Sequence, residues 1–160
     1  MLKPIVAIAA TAAAFVATAA PAEAQVRRGH MVSAQGPLGR GLVQSRSVSR
    51  DHGTGAVERS LQTNGGRGYR ATRSHEASPG SYQGNRSFQT NDGRGAQSSR
   101  SASWGDGAYN GSHVTTTNSG ATRSRSTSAT ANGDGSASYA TTLNRADGTT
   151  RTVSGTVSRP

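Results

Sequence analysis

Along much of this chain, larger side chains alternate with smaller polar ones, in short segments of similar length. In one segment, Tyr82, Gly84, Arg86 and Phe88 share a parity, whereas the residues between them are Gln, Asn and Ser. Successive side chains of a β-strand point to opposite sides of a sheet, so a period of two is typical of a strand with two different faces. The pattern therefore predicts β-strands with one modestly apolar face and one face of serine and threonine.

Glycines separate these segments at nearly constant spacings along the chain. Most of them end a turn-like group such as Asn91-Asp92-Gly93 or Asp106-Gly107. Glycine adopts the positive φ of tight turns at no steric cost, and Asn and Asp tolerate it. Hairpin turns are therefore predicted at Gly53, Gly66, Gly80, Gly93, Gly107, Gly120, Gly135 and Gly148.

Pairs of segments form a longer repeat. The group at 63–66, TNGG, recurs at 90–93 as TNDG and at 117–120 as TNSG, so the period is 27. Internal repetition at a fixed period is the signature of a repeat architecture. The predicted repeat region covers 39–160, in units 39–65, 66–92, 93–119 and 120–147 and a partial unit 148–160.

Shorter and longer spacings between the glycines alternate, which predicts two kinds of turn. A three-residue loop at 91–93 would pair Phe88 with Ala96, and a two-residue Asp106-Gly107 loop would pair Trp104 with Tyr109. Both pairings keep the larger side chains on one face. A register shift of one residue would move them to opposite faces. The extra residue within 131–135 predicts a longer loop or a bulge.

Two strands in each unit predict an all-β fold, an antiparallel meander of about eight or nine short strands. A β-solenoid with one coil per repeat is an alternative, in which Asn64, Asn91 and Asn118 would stack as a ladder. The strongly apolar side chains are few for a filled solenoid interior. A largely disordered chain is the other alternative, because so little apolar surface is available for burial.

The segment 1–24 has the pattern of a secretory signal peptide. Lys3 precedes an apolar run at 5–20, and Ala22-x-Ala24 fits a small-residue cleavage site. The run is shorter than the roughly 20 residues that span a bilayer, which disfavours a membrane anchor. We expect cleavage after Ala24, export to the periplasm or the cell exterior, no membrane span after cleavage, and a flexible lead-in at 25–38.

Apolar side chains are scarce after Ala24. Leu, Ile, Val and Phe together make up about a tenth of the segment 25–160, well under the level of roughly 20% below which disorder becomes common. The chain has no cysteine, so disulfides cannot compensate. We expect the aromatic residues to form the scarce core of a thin sheet, covered by arginine stems. The alternative is a stacking surface for a polymer. The residues concerned are Tyr82, Phe88, Trp104, Tyr109 and Tyr139.

The chain is strongly basic, with 18 Lys and Arg against 8 Asp and Glu and a formal net charge of +10. The use of arginine rather than lysine could reflect codon composition, which we favour, or bidentate recognition of phosphate or carboxylate. Whatever its origin, the charge favours adhesion to anionic surfaces and polymers. The candidate polyanion contacts are Arg59, Arg67, Arg73, Arg86, Arg94 and Arg100.

No catalytic, cofactor or metal site is predicted. The serines lie on a predicted strand face without a G-x-S-x-G elbow, and the chain contains no G-x-G-x-x-G. The Asn-Gly-Asp-Gly run at 132–135 resembles a calcium loop, but Leu143 stands where a bidentate Glu is needed. A zinc site is disfavoured because there is no cysteine and the histidines are far apart in sequence, at His30, His52, His75 and His113.

In combining a signal peptide with repeated Gly/Asp turns in a chain rich in Thr, Ser and Arg, the protein resembles uncharacterised exported repeat proteins of Gram-negative bacteria. The resemblance covers 39–160, implies no activity and transfers no functional residue. The predicted function is that of an exported, non-enzymatic structural, surface or matrix protein that self-associates through sheet edges. The alternative is an arginine-rich binding module for anionic polymers, namely nucleic acid, lipopolysaccharide or acidic polysaccharide. Anionic polymers or cell-surface components are the expected partners.

Overall fold

The computed structural model describes residues 26–158, which form one ten-stranded antiparallel sheet. The strands lie in the sheet in the order in which they occur in the chain, so the fold is a meander with two free edges. The predicted all-β antiparallel meander is confirmed. The strands are β1 (Val26–Gln35), β2 (Gly41–Asp51), β3 (Thr54–Thr63), β4 (Gly68–Ser78), β5 (Ser81–Thr90), β6 (Gly95–Gly105), β7 (Ala108–Thr117), β8 (Thr122–Ala131), β9 (Ser136–Asn144) and β10 (Thr150–Ser158).

The register keeps the larger side chains of neighbouring strands on the same face. Phe88 pairs with Ala96, and Trp104 pairs with Tyr109, as the loop lengths predict. Ala131 pairs with Ala137 although the spacing changes there, because Gly133–Gly135 forms a three-residue loop. The longer loop expected within 131–135 is therefore present, and it restores the faces after the extra residue.

The strand β1 lies where a flexible lead-in was predicted. It pairs with β2 from Val26↔Arg50 to Gln35↔Gly41, and the short 3-10 segment Pro37–Gly39 lies in the connection. The lead-in prediction is thus corrected for residues 26–35, and the sheet has one strand more than expected. The predicted signal peptide at 1–24 lies outside the described residues.

The sheet has a single layer, and no apolar side chain within residues 26–158 is buried. Phe88 is 45% exposed and Trp104 is 48% exposed. The expectation that the aromatic residues form a core is therefore wrong. Their odd or even positions in the strands correctly predicted that they share one face. Burial also requires a second layer on that face, and the strands of this sheet pack against their neighbours within the sheet. Backbone hydrogen bonds, cross-strand pairs and loop contacts hold the described residues together.

Two kinds of loop lie at opposite ends of the strands. At one end the loops have three residues, as between β5 and β6, where the Thr90 amide donates to the Arg94 carbonyl oxygen at 2.8 Å. At the other end most have two, as between β6 and β7. There Asp106 and Gly107 have φ values of 49° and 72°. Positive φ at both positions is the type I′ geometry that matches the strand twist, which explains the Asp-Gly sequence.

Asparagine side chains connect successive three-residue loops. The Nδ2 of Asn64 donates to the Gly39 carbonyl oxygen at 2.9 Å, and the Nδ2 of Asn91 donates to that of Gly66 at 2.9 Å. The Nδ2 of Asn118 donates to that of Gly93 at 2.8 Å. Each asparagine therefore binds the preceding three-residue loop at the same end of the sheet. The three contacts place Asn at 27-residue intervals, and the positive φ of Gly39, Gly66 and Gly93 favours glycine at the acceptor positions, so they give this part of the sequence period a structural cause.

Replacing Asn91 by alanine is expected to lower the free energy of unfolding by about 1 kcal/mol, because the Gly66 carbonyl oxygen loses its donor. Chemical denaturation followed by Trp104 fluorescence measures the change. Asn110→Ala is the matched control, since Asn110 lies exposed in β7 and has no side-chain hydrogen bond within residues 26–158. Equal losses in the two variants would contradict the role of the loop contact.

Candidate polyanion-binding face

Most arginines of the strands lie on one side of the sheet, which we call the cationic face. The strand register and the alternation of side chains place ten arginines on this face and no Asp or Glu of the described chain. The opposite side, rich in serine and threonine, is the hydroxyl face. The arginines of the cationic face are Arg28, Arg46, Arg50, Arg59, Arg73, Arg86, Arg100, Arg123, Arg125 and Arg151.

Charges elsewhere in residues 26–158 nearly cancel. The hydroxyl face has two arginines and three acids, and the connections between strands have four arginines and four acids. The net positive charge of the described chain is therefore concentrated on the cationic face. The hydroxyl-face charges are Arg27, Arg70, Asp51, Glu58 and Glu76. The charges of the connections are Arg40, Arg67, Arg94, Arg145, Asp92, Asp106, Asp134 and Asp147.

Two pairs of arginines lie directly opposite each other on the cationic face. Arg46 pairs with Arg59 between β2 and β3, and Arg73 pairs with Arg86 between β4 and β5. Like charges at directly opposed positions destabilise a sheet. Neither pair is relieved by a carboxylate of the described chain on the same face. An anion bound above them would remove this repulsion.

The arginines of the cationic face are solvent-exposed and available to a ligand. Within residues 26–158 the Arg–carboxylate ion pairs are Arg70 with Glu58, at 2.7 Å, and Arg94 with Asp92, at 3.4 Å. The first pair lies on the hydroxyl face and the second in a connection between strands. Both ion pairs therefore lie away from the cationic face.

The six arginines predicted as polyanion contacts lie in two different parts of the structure. Arg59, Arg73, Arg86 and Arg100 lie together on β3 to β6 of the cationic face, whereas Arg67 and Arg94 lie in connections at one end of the strands. The prediction followed repeat position and missed six arginines of the face. Their even or odd position within each strand was the signal that could have found them. They are Arg28, Arg46, Arg50, Arg123, Arg125 and Arg151.

The centre of the cationic face contains a shallow recess of about 100 Å³. Its cationic walls are Arg73, Arg86 and Arg100, with His113 beside them and the Tyr82 ring at one side. Gly84 and Ser98 lie at the bottom of the recess, and the space above them is open because Gly84 has no side chain and that of Ser98 is small. The arrangement offers guanidinium donors around a space in which an anionic group can approach the sheet.

Three of the four carboxylates in the connections accept hydrogen bonds within the turns. Asp147 accepts hydrogen bonds from the Thr149 hydroxyl, at 2.6 Å, and the Thr149 amide, at 2.9 Å. These two bonds hold the pKa of Asp147 below its ordinary value, with the hydroxyl the larger cause. Bonds from Ser136 lower the pKa of Asp134, and those from Thr90 and Arg94 lower the pKa of Asp92. These acids therefore stay ionised, and support the loops, until the pH falls through their lowered pKa values.

The histidines and carboxylates of the described chain lie mostly apart. The Nδ1 of His52 lies 2.5 Å from Asp51 Oδ1 at an exposed turn, and no hydroxyl within residues 26–158 hydrogen-bonds the His52 ring. The Thr115 hydroxyl lies 3.5 Å from the Nε2 of His113, at the outer limit of a hydrogen bond. Three His, Cys, Asp or Glu side chains do not come together anywhere in the described part of the chain. A helix of the length and apolar character that crosses a bilayer does not occur between residues 26 and 158.

Comparisons with protein-family models, with curated proteins and with solved structures gave no match for this chain. The resemblance to exported Gly/Asp-turn repeat proteins therefore stays a prediction. The functional argument rests on the geometry of the cationic face.

Proposed function

We propose that this protein is an exported, non-enzymatic binding protein for anionic polymers, and that the cationic face is its binding surface. One observation carries the proposal: ten exposed arginines share a face on which no carboxylate of the described chain lies. A single layer keeps this face open to a large ligand. Export rests on the signal-peptide pattern at 1–24.

A polymer suits this face better than a small anion. The face continues over ten strands, and neighbouring strands lie about 4.8 Å apart, so its width is roughly 45 Å. Exposed single ion pairs contribute little in water. A polyanion makes many such contacts at once and releases counterions from each, so the contributions accumulate.

A structural role in a surface layer or matrix is the second candidate function, favoured by the two free edges of the sheet. The outer sides of β1 and β10 present unpaired backbone groups along the whole length of each strand. Exposed edges of this kind are templates for pairing with another chain. Polymer binding and edge pairing use different parts of the molecule, so one protein can do both.

Salt titration tests the polymer-binding proposal. If the ligand contacts six to ten arginines, log K is expected to fall with log salt with a slope of about −4 to −7 for a single-stranded polyanion. Binding of a fluorescent polyanion is measured by anisotropy between about 0.05 and about 0.5 M salt, a range over which counterion release changes log K strongly. Neutral dextran of similar length is the control ligand. Absence of binding at low salt, or a flat salt dependence, would refute the proposal.

A further inference from the structure

Aromatic side chains share the cationic face with the arginines. Every Tyr, Phe and Trp within residues 26–158 has the parity of this face, although the hydroxyl face offers as many positions. Charge alone would attract any polyanion, and it gives no reason for aromatic residues on the same side. They are Tyr69, Tyr82, Phe88, Trp104, Tyr109 and Tyr139.

Three tyrosine rings lie over glycines of the sheet. A Cβ atom added at Gly111 would lie 2.5 Å from the Tyr109 hydroxyl, and one added at Gly84 would lie 2.8 Å from the Tyr82 hydroxyl. At Gly155 the added atom would lie 3.0 Å from the hydroxyl of Tyr139 on the paired strand. The rings therefore lean along the sheet, and glycine makes room for them. Because the sheet has one layer, the outer sides of two of these rings are open: Tyr109 is 40% exposed and Tyr139 is 36% exposed. Tyr82 is half-buried, with the His75 ring stacked beside it at 6.4 Å.

Aromatic and cationic positions form two neighbouring rows across the strands. Trp104, Tyr109 and Tyr139 lie on one row, since Trp104 pairs with Tyr109, and Tyr109 and Tyr139 both pair with Ala129. A second row contains Arg100, His113 and Arg125, which pair in succession. The rows are four residues apart along β7, and the Tyr109 ring leans over Gly111 toward the second row. The remaining separation is about two residues, roughly 7 Å.

We propose that the ligand of the cationic face is single-stranded nucleic acid, whose bases stack on the row of rings while its phosphates lie along the row of arginines. This inference rests on the proposed function and specifies its ligand. Proteins that bind single strands without sequence preference combine a basic track with aromatic side chains on which bases stack. A duplex keeps its bases stacked on each other, and polyphosphate has no ring to stack, so neither uses both rows.

The chain has one tryptophan, which provides a direct readout. Trp104 lies on the aromatic row and is 48% exposed. Titration with oligo-dT is expected to quench its fluorescence through stacking, whereas titration with polyphosphate to the same bound charge is expected to leave it nearly unchanged. Heparin serves as the acidic polysaccharide in a parallel titration.

Variants separate stacking from charge. Tyr109→Leu keeps every charge and is expected to weaken oligo-dT binding roughly 5- to 100-fold, with polyphosphate binding unchanged. Gly111→Ala displaces the same ring from below and should act in the same direction. Gly29→Ala is its control, because a Cβ there would meet only the Arg46 carbonyl oxygen at an ordinary 3.7 Å. Tyr139→Leu tests the row at a second site without altering a glycine, in case Gly111→Ala disturbs folding.

Each outcome decides the inference. Quenching by oligo-dT with selective loss in Tyr109→Leu supports it. Equal affinity for oligo-dT and polyphosphate, with no effect of the tyrosines, overturns the nucleic-acid inference and leaves polyanion binding intact. An equal loss of heparin binding in Tyr109→Leu assigns the rings to a polysaccharide and also overturns it. Binding of none of the three polymers refutes the proposed function itself.

Discussion

Replacing Arg59, Arg73, Arg86 and Arg100 together by glutamine is expected to weaken binding of a single-stranded polyanion at about 0.1 M salt by roughly two to three powers of ten. Each phosphate contact to a single strand contributes about 0.7 to the slope of log K against log salt. The loss of four contacts therefore makes the slope less steep by about 3. Because about 0.1 M is one tenfold step below about 1 M salt, log K at about 0.1 M falls by a similar amount. Anisotropy titrations at several salt concentrations measure both quantities.

The chain offers a control with the same change in charge. Arg40, Arg67, Arg94 and Arg145 lie in the connections between strands, so their replacement by glutamine removes four positive charges from outside the cationic face. We expect this variant to change the slope by less than about 1. Equal losses in the two variants would mean that net charge alone governs binding. The face variant should unfold no more easily than the wild type, because it relieves the Arg46–Arg59 and Arg73–Arg86 repulsions.

Concentration-dependent assembly into open ribbons is the second large effect that we expect. The sheet has an even number of strands, so β1 and β10 run in opposite directions, and β10 of one copy can pair with β1 of the next while the faces stay aligned. Such a contact is heterologous, and its repetition without ring closure produces a filament. The charge of the cationic face opposes assembly, and salt or a bound polyanion promotes it. Analytical ultracentrifugation and light scattering at low and high salt measure the growth.

A lysine pair on the edges should stop this assembly. Val32 in β1 and Val153 in β10 are 44% and 41% exposed, and Val32→Lys with Val153→Lys places charge at the pairing edges. Gln83→Lys with Gln97→Lys adds the same charge on exposed positions of the central strands β5 and β6. We expect the edge variant to remain monomeric at high salt and the control to assemble like the wild type. Assembly of the edge variant at wild-type concentrations would assign self-association to another surface.

Local turn chemistry explains why most of the fold was predictable. Asp106-Gly107 favours a type I′ hairpin with a two-residue loop. This loop length fixes the register of β6 and β7, in which Trp104 pairs with Tyr109. The strand β1 was missed because its connection, with Pro37 and Leu38, lacks the Asn-Asp-Gly pattern. The strand β1 forms by pairing with the edge of β2, and its own sequence contains no turn pattern that predicts this pairing.

The candidate site was only partly predictable, for a different reason. Parity shows which side chains share a face, but it cannot show whether another layer covers that face. The aromatic residues were therefore assigned to a core, whereas Phe88 and Trp104 lie open to solvent. The four central arginines were found, while Arg28 was missed because it lies in β1, which was not expected to be a strand.

The asparagine contacts connect four successive three-residue loops at one end of the sheet. Asn91 binds the three-residue loop that precedes its own at that end of the sheet, and Asn118 then binds the loop to which Asn91 belongs, so each loop contacts its nearest neighbours. Stability in such an array is close to a sum of unit and neighbour contributions. Gain or loss of one unit in a gene would then lengthen or shorten the cationic face by two strand spacings, about 10 Å. Under the proposed function, the number of repeats would set the length of polymer that one molecule covers.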